Sequence, residues 1–324
     1  MTSYRDAGVN LDGALEHVSA IAGDVTSTWS NKVVGSFGGF AAGVAVPDGF
    51  TNPILMMSTD GVGTKLELAR RSGIWEGVGA DLVAMCVDDL AAVGALPLGF
   101  VDYMAVGELS PERDSAVVRS IAHACSVAGC PLLGGETAEH PGVMEPEAID
   151  LAGAAMGVVE QDKALDPSDA TEGNLIVGLG SPNLRSNGFS LVRRVLGEDI
   201  DLHIEELLSP SVIYSPSVLR AVSTGGVRSA AHITGGGIVE NLERALPHHL
   251  GAEVDTSSWS RPSVFGVVTE RGVTEEDMFR TFNMGLGFCL VIDASSLDDV
   301  LEATSEHAPA VVGRVTSESG VVLI

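Results

Sequence analysis

Three acidic side chains, each at the end of an apolar segment and beside small residues, are the first chemistry in this sequence. Asp60 follows the apolar run Ile54-Leu55-Met56-Met57 and opens Asp60-Gly61-Val62-Gly63-Thr64-Lys65. The run reads as a strand and the glycines as the turn after it. Such a turn brings backbone N–H groups close to a phosphate, with Lys65 adding a cation and Thr64 a hydroxyl. The Walker A spacing is absent, so a purely structural turn stays open as an alternative. A carboxylate at the end of a buried strand calls for a metal or a cation. Asp81 and Asp88 stand about two helical turns apart and share a face, while Asp89 points ~100° away. They either mark the exposed edge of an apolar helix or are matched by charge. Glu136, in Gly134-Gly135-Glu136-Thr137, repeats the design of an acid after a strand and glycines. Brought together, Asp60, one of Asp88 and Asp89, and Glu136 would suit Mg²⁺, which takes a few carboxylates plus water and phosphate oxygens.

A second group consists of small residues at helix starts. Ser186-Asn187-Gly188 and Thr234-Gly235-Gly236-Gly237 each precede apolar residues at helical spacing. A helix N-terminus offers free N–H donors to an anion, although ordinary capping explains the same residues. Arg185 would strengthen the first site. His232, just before the second glycine turn, is either a structural hydrogen-bonder or a proton carrier.

The elements that must position these groups follow from periodicity and punctuation. Strands are expected at 54–57, 131–133, 151–159 and 175–179. A helix apolar nearly all round, and therefore buried, is expected over 80–93. Another opens at Ser110-Pro111 and stops at Gly129. Gly134 and Gly135 read as a turn after their strand. Strands and helices alternate, so the fold class is α/β (α+β), in two domains. The polar, turn-rich stretch 161–173 separates them, giving 1–165 and 166–324.

Composition narrows the function. The chain has 324 residues, 45% of them hydrophobic, which is ample for two cores. Its 18 basic and 44 acidic residues give a net charge of −26. That charge argues against nucleic acid or an anionic membrane as partner. A phosphate site must therefore build its own positive potential. The four cysteines form no C-x-x-C pair and read as small buried hydrophobes in a reducing, cytoplasmic setting. No apolar run reaches the ~18 residues of a membrane span.

Taken in order, these segments resemble the phosphoribosylformylglycinamidine cyclo-ligase (aminoimidazole ribonucleotide synthetase) family of purine biosynthesis. The matching stretches are residues 4–9 (Tyr-Arg-Asp-Ala-Gly-Val), 35–39 (Gly-Ser-Phe-Gly-Gly), 58–65 (Ser-Thr-Asp-Gly-Val-Gly-Thr-Lys) and 81–90 (Asp-Leu-Val-Ala-Met-Cys-Val-Asp-Asp-Leu). They continue at 134–139, 186–193, 208–214, 231–237 and 282–285. The resemblance implies two α/β domains, each with a mixed sheet and helices, and a homodimer whose N-terminal sheets pair into a barrel-like core. It implies ATP and Mg²⁺ as cofactors, with Asp60, Asp89 and Glu136 on the metal. Gly38, Gly39, Gly61, Gly63, Thr64, Lys65 and Asp81 would complete the nucleotide site. Arg185, Ser186, Asn187, Gly188, Thr234, Gly235 and Gly236 would bind a small nucleotide substrate. Asp60, Lys65, Asn187 and His232 are the implied catalytic set. The implied reaction phosphorylates an amide oxygen, then closes the imidazole ring as phosphate departs.

The sequence departs from the family pattern at three places. Asp88 stands where Asn is usual, Arg185 where His is usual, and Ala22 where a Lys is common. Relatives with similar cores remain as alternatives: thiamine monophosphate kinase, selenophosphate synthetase, formylglycinamidine ribonucleotide synthetase and a non-catalytic hydrogenase-maturation protein. The first cysteine, Cys86, lies inside an apolar helix, and the chain ends without a cysteine tail.

Overall fold

A computed structural model describes residues 11–324. The motif at 4–9 lies outside them. The first half runs α1 (Leu11–Ser27), β1 (Val33–Val34), β2 (Gly43–Val44), β3 (Pro53–Gly61), α2 (Lys65–Ser72), α3 (Val78–Ala92), β4 (Leu96–Val106), α4 (Pro111–Ala128), β5 (Leu132–Glu139) and β6 (Ile149–Glu160). The second runs β7 (Leu175–Gly180), α5 (Phe189–Leu196), α6 (Ile204–Leu207), α7 (Ser215–Ser223), β8 (Val227–His232), α8 (Gly237–Arg244), β9 (Gly251–Val254), α9 (Ser263–Thr269), α10 (Glu275–Thr281), β10 (Leu286–Ile292), α11 (Leu297–Ala303), β11 (Ala310–Thr316) and β12 (Gly320–Leu323). Short 3₁₀ turns, Gln161–Lys163 and Pro167–Asp169, lie between the halves.

Each half builds one mixed sheet. In the first, the order is β3-β6-β4-β5, antiparallel except for the parallel pair β4 and β5. In the second, the order is β12-β9-β11-β7-β10-β8, antiparallel except for β12 with β9. Every residue of β10 is buried, as its continuous apolar sequence requires of a strand covered on both faces. All four cysteines are free and buried. Among the described residues, no helix is long and apolar enough to cross a membrane.

The position of α3 decides where the site forms. Its sequence, VGADLVAMCVDDLAA, is apolar nearly all round and buried along most of its length. One side packs on the first sheet and α4; the other meets α7 and β8 of the second half. A Cβ at Gly79 would stand 2.1 Å from the backbone of Ser120 and Ile121, so glycine permits the close crossing of α3 and α4. As the shared wall, α3 carries Asp81, Asp88 and Asp89 to the boundary between the halves. Helix α4 opens after Ser110 with Pro111 in its first turn and closes on left-handed Gly129. Asp114 caps that start by accepting the Ser110 N–H at 2.8 Å.

Gly134, Gly135, Glu136 and Thr137 differ from expectation. They do not form a turn; they extend β5, paired in parallel with residues 101–104 of β4. The glycines admit a buried neighbour, since a Cβ at Gly135 would stand 2.2 Å from Asp102 Oδ1.

Candidate functional site

The acids at the boundary divide into pairs with different fates. Asp81 and Lys65 form a buried ion pair, with Nζ 2.7 Å from Oδ2 and both side chains 1% exposed. Lys65 Nζ donates to Asp81 Oδ1 at 2.9 Å, Ser209 O at 2.9 Å and Arg185 O at 3.2 Å. Ser211 donates its N–H and hydroxyl to Asp81 Oδ1. Burial pushes the lysine down and the carboxyl up, and each charge holds the other in place. An ammonium has three donors. All three are used here, so Lys65 and Asp81 do not form the expected phosphate cradle; they join the two halves.

Arg185 and Asp88 form the second buried pair, at 2.7 Å with both side chains 0% exposed. Arg185 also donates to Gly287 O and Val212 O, each at 3.1 Å, and lies over the Tyr214 ring. The other carboxylate oxygen accepts the N–H groups of Tyr214 and Ser215, each at 2.8 Å. Arg185 adopts φ +58°, a left-handed conformation that costs a non-glycine residue energy. The expectation that Arg185 binds substrate fails because its guanidinium is enclosed and committed to Asp88. The two departures at 88 and 185 are thus partners of one another, and the extra carboxylate is neutralised inside the fold.

Asp89 and Asp60 are the accessible acids. Asp89 is about half-exposed; its Oδ1 contacts His232 Nδ1 at 2.8 Å and its Oδ2 accepts the Ser58 hydroxyl at 3.2 Å. Burial opposes its charge, but His232 and Ser58 together hold Asp89 below the usual carboxylate range. Asp60, two residues beyond Ser58 on β3, accepts the Gly61 N–H at 2.6 Å. Burial, and then the neighbouring Asp89 charge, push its carboxyl up. Two carboxylates facing one space, one of them resisting ionisation, suit a hard dication.

His232 ends β8 and stacks on Phe288, with ring centroids 5.9 Å apart. Its buried Nε2 has no hydrogen-bond partner among the described residues and stands 3.9 Å from Asp88 Oδ2. The imidazole is therefore held by Asp89 on one nitrogen, while the other is buried on the Asp88 side.

Two small-residue loops adjoin this cluster. A Cβ on Gly235 would stand 3.6 Å from Asn187 Oδ1, so the loops at 186–188 and 234–236 are neighbours. Gly188 has φ +79°, and a Cβ there would collide with the Phe282 ring at 2.2 Å. The carbonyls of Thr234, Gly235 and Gly237 accept from Asn241 Nδ2. The Gly237 N–H closes the loop on Thr234 O at 3.1 Å. Thr64 Oγ1 reaches Ser190 Oγ at 3.1 Å and ties the Gly61–Gly63 turn to α5.

Glu136 is not with Asp60 and Asp89. It pairs with Tyr103, and Tyr103 in turn with Ala152, which pairs with Gly61. Three strand spacings amount to roughly 14 Å. Among the described residues, no cluster of three or more His, Cys, Asp or Glu forms a metal site. The expected three-acid convergence within one chain is therefore corrected to the pair Asp60 and Asp89. Gly38 and Gly39 line a separate cavity together with Glu136. Sequence reasoning missed Ser58, although its two-residue spacing from Asp60 put it on the same strand face. It also missed the Lys65–Asp81 and Arg185–Asp88 pairings, which join residues far apart in the chain.

Comparison with known proteins settles the family. Residues 38–159 match the N-terminal domain of AIR synthase related proteins, and 171–324 match the C-terminal domain. The chain belongs to the AIR synthase related family. It is 43% identical to the phosphoribosylformylglycinamidine cyclo-ligase of a Synechococcus species, over 98% of this chain and 96% of the relative. Identity to the Bacillus pumilus cyclo-ligase is also 43%, over 98% and 97%. Among solved structures, thiamine-monophosphate kinase from Stenotrophomonas maltophilia shares the fold with TM-score 0.70 at 18% identity, covering 96% of this chain and 95% of that one. The hydrogenase maturation protein HypE in complex with ATP gives TM-score 0.69 at 18% identity, covering 98% and 92%. The fold is thus common to all these activities, whereas the end-to-end sequence likeness is to cyclo-ligases.

Proposed function

We propose that this chain is an ATP-dependent cyclo-ligase that converts formylglycinamidine ribonucleotide to aminoimidazole ribonucleotide, releasing ADP and phosphate. The observation that carries the reading is the 43% identity to cyclo-ligases over 98% of the chain. In this reaction the substrate's amide oxygen takes the γ-phosphoryl group of ATP. The amidine nitrogen of the same molecule then attacks that carbon, and the C–O bond breaks as phosphate leaves. Such a reaction needs positioning and charge neutralisation more than covalent chemistry.

Asp60 and Asp89 are the residues that would hold Mg²⁺, which when bound would neutralise charge on the phosphates. Ser58 fixes the Asp89 carboxylate. The N–H groups at the starts of α5 and α8 supply donors for the substrate's phosphate. Asn187 offers an amide beside Gly235 for the reacting group. His232, in contact with Asp89 through Nδ1, would exchange a proton on that side as the ring closes. Residues 1–165 would serve ATP and self-association, and 166–324 would complete the substrate cleft.

A homodimer is part of the proposal. Leu55 and Met57 of β3 are 55% and 76% exposed, and Val101 and Tyr103 of β4 are each 43% exposed. The strand register puts all four on the same face of the first sheet. An open apolar sheet face of this kind supports pairing with a second copy. Glu136, paired with Tyr103, belongs to that face.

The test is release of ADP and aminoimidazole ribonucleotide over a panel of substrates. Turnover with formylglycinamidine ribonucleotide and none with thiamine monophosphate is expected. Equal ATP consumption with thiamine monophosphate would end the cyclo-ligase reading.

A further inference from the structure

Asn183 stands in the loop that leaves β7 and carries Ser186, Asn187 and Gly188, and it is 3% exposed. Its polar atoms reach three separate segments. Oδ1 accepts the N–H of Arg185, two residues on, at 3.0 Å. Nδ2 donates to Pro210 O at 2.8 Å and to Ser209 O and Oγ at 3.2 and 3.1 Å. The Asn183 carbonyl accepts from Ser181 Oγ at 2.9 Å and from buried Asn283 Nδ2 at 3.0 Å. An Asn side chain that accepts from the N–H two residues on makes a turn of its own and holds the chain in it. The residue held here is Arg185, whose φ of +58° a non-glycine residue keeps only under constraint. Segment 209–211 is fixed to the first half, because Ser209 O accepts from Lys65 Nζ and Ser211 donates to Asp81. Ser186 Oγ also reaches Asp81 O, at 3.4 Å. Asn183 thus ties the loop of the second half to the wall formed by α2 and α3.

We propose that Asn183 is a positioning residue for ring closure: its carboxamide sets where Asn187 stands relative to Asp60 and Asp89, and so where the substrate's amide oxygen meets the γ-phosphoryl group. Asn183 is buried behind the loop and acts through Asn187, not on the reacting atoms. Without its carboxamide, Arg185 loses the hydrogen bond that keeps its backbone left-handed, and the loop beyond it shifts. A displacement of about 1 Å at a reacting group costs on the order of 100-fold in rate. The loss has a chemical signature. With the amide oxygen out of line, water takes the γ-phosphoryl group instead. The bond from the γ-phosphorus to the bridging oxygen breaks, ADP and phosphate leave, and no ring forms. ATP use then exceeds ring closure.

The proposal rests on the cyclo-ligase reading, and its test separates the two. ADP and aminoimidazole ribonucleotide are counted in the same reaction for the wild type, Asn183→Ala and Asn183→Ser. The wild type releases ADP and closed ring in equal amounts. In Asn183→Ala, kcat for ring closure falls about 10–100-fold, KM for ATP stays within about twofold, and the ratio of ADP to ring rises above unity. Asn183→Ser restores part of the coupling, since a hydroxyl makes the same turn more weakly. A merely structural role would lower ADP and ring together and leave the ratio at unity. Folded Asn183→Ala with a ratio of unity overturns the proposal; where that variant does not fold, a ratio of unity in Asn183→Ser does so. An Arg185 N–H that exchanges freely with deuterium in the wild type also overturns it. Ring closure by the wild type with coupling intact in the variants removes this role alone. A wild type that closes no ring removes the cyclo-ligase reading, and this role with it.

Discussion

Breaking the Arg185–Asp88 pair one partner at a time should be far more damaging than replacing both. In Arg185→Met, the Asp88 carboxylate keeps the N–H groups of Tyr214 and Ser215 but loses its only counter-ion within 3 Å. In Asp88→Asn, a guanidinium with 0% exposure is left with the carbonyls of Gly287 and Val212. Stranding one charge of a buried pair costs about 3–5 kcal/mol. The double variant Asp88→Asn with Arg185→Met removes both charges together and leaves a neutral amide that keeps the N–H groups of Tyr214 and Ser215. It also relieves left-handed strain only if the loop relaxes, so a residual loss of about 1–2 kcal/mol is allowed for packing and backbone. The expected coupling energy is therefore at least about 2 kcal/mol in favour of the double variant. Urea unfolding followed by tryptophan fluorescence measures the three variants against the wild type. Turnover should follow the same order, because the pair packs against His232 from the Asp88 side. Effects that add to within about 0.5 kcal/mol would refute the coupling. So would Arg185→Met unfolding at the wild-type midpoint.

Three further outcomes follow from the geometry. Asp89→Asn should lower turnover about 100-fold with the circular dichroism spectrum retained, since it removes the anchor of His232 and one of the two carboxylates proposed for Mg²⁺; unchanged turnover would contradict both roles. Asp102 binds its proton more tightly folded, with a value of about 7, than at its ordinary value of 3.8. Its contribution to stability is present below about pH 4 and is lost as pH rises to about 7, with a ceiling of roughly 4 kcal/mol at ~1.4 kcal/mol per pH unit. Asp102→Asn should therefore raise Tm relative to wild type at pH 8 and much less at pH 4; an equal shift at both would be inconsistent with a buried raised carboxyl. Met57→Glu, at a site 76% exposed on the open sheet face, should shift sedimentation from dimer to monomer.

The sequence made the scaffold legible where a local signal exists. Pro111 after Ser110 and the closing Gly129 marked α4, and the all-round apolar run marked α3 as a buried wall. The strand at Asp60 and the glycine loops near 187 and 235 were also readable, because turn chemistry is local. Gly134 and Gly135 misled, since a glycine in a strand that clears space for a buried side chain looks the same as one that turns the chain. The charge pairing was not readable at all. Lys65 beside a glycine turn has the look of a phosphate ligand, and only its long-range contacts with Asp81 and Ser209 reveal that it is spent. Asp88 and Arg185 each stood as a separate departure from the family pattern. Their distance along the chain hid that each answers the other.

The spent cations change how an acidic chain must hold a triphosphate. Lys65 and Arg185, the two cations that the sequence offered for a phosphate, are neutralised by Asp81 and Asp88. What faces the boundary from the first domain is then Asp60 and Asp89, in a chain of net charge −26. Backbone N–H groups at α5 and α8 do not cancel two full carboxylates. A phosphate charge about 6 Å from each carboxylate, at an effective dielectric of about 40, is opposed by roughly 1.4 kcal/mol per carboxylate. Without a dication, ATP affinity should thus fall on the order of 100-fold, about tenfold for each acid. Titration of ATP in excess chelator, then with Mg²⁺ restored, measures the ratio directly. In Asp60→Asn with Asp89→Asn the repulsion is gone, so binding in chelator should improve while turnover is lost. Equal ATP affinity with and without Mg²⁺ in the wild-type chain would mean that the triphosphate lies elsewhere, and would remove Asp60 and Asp89 from the nucleotide site.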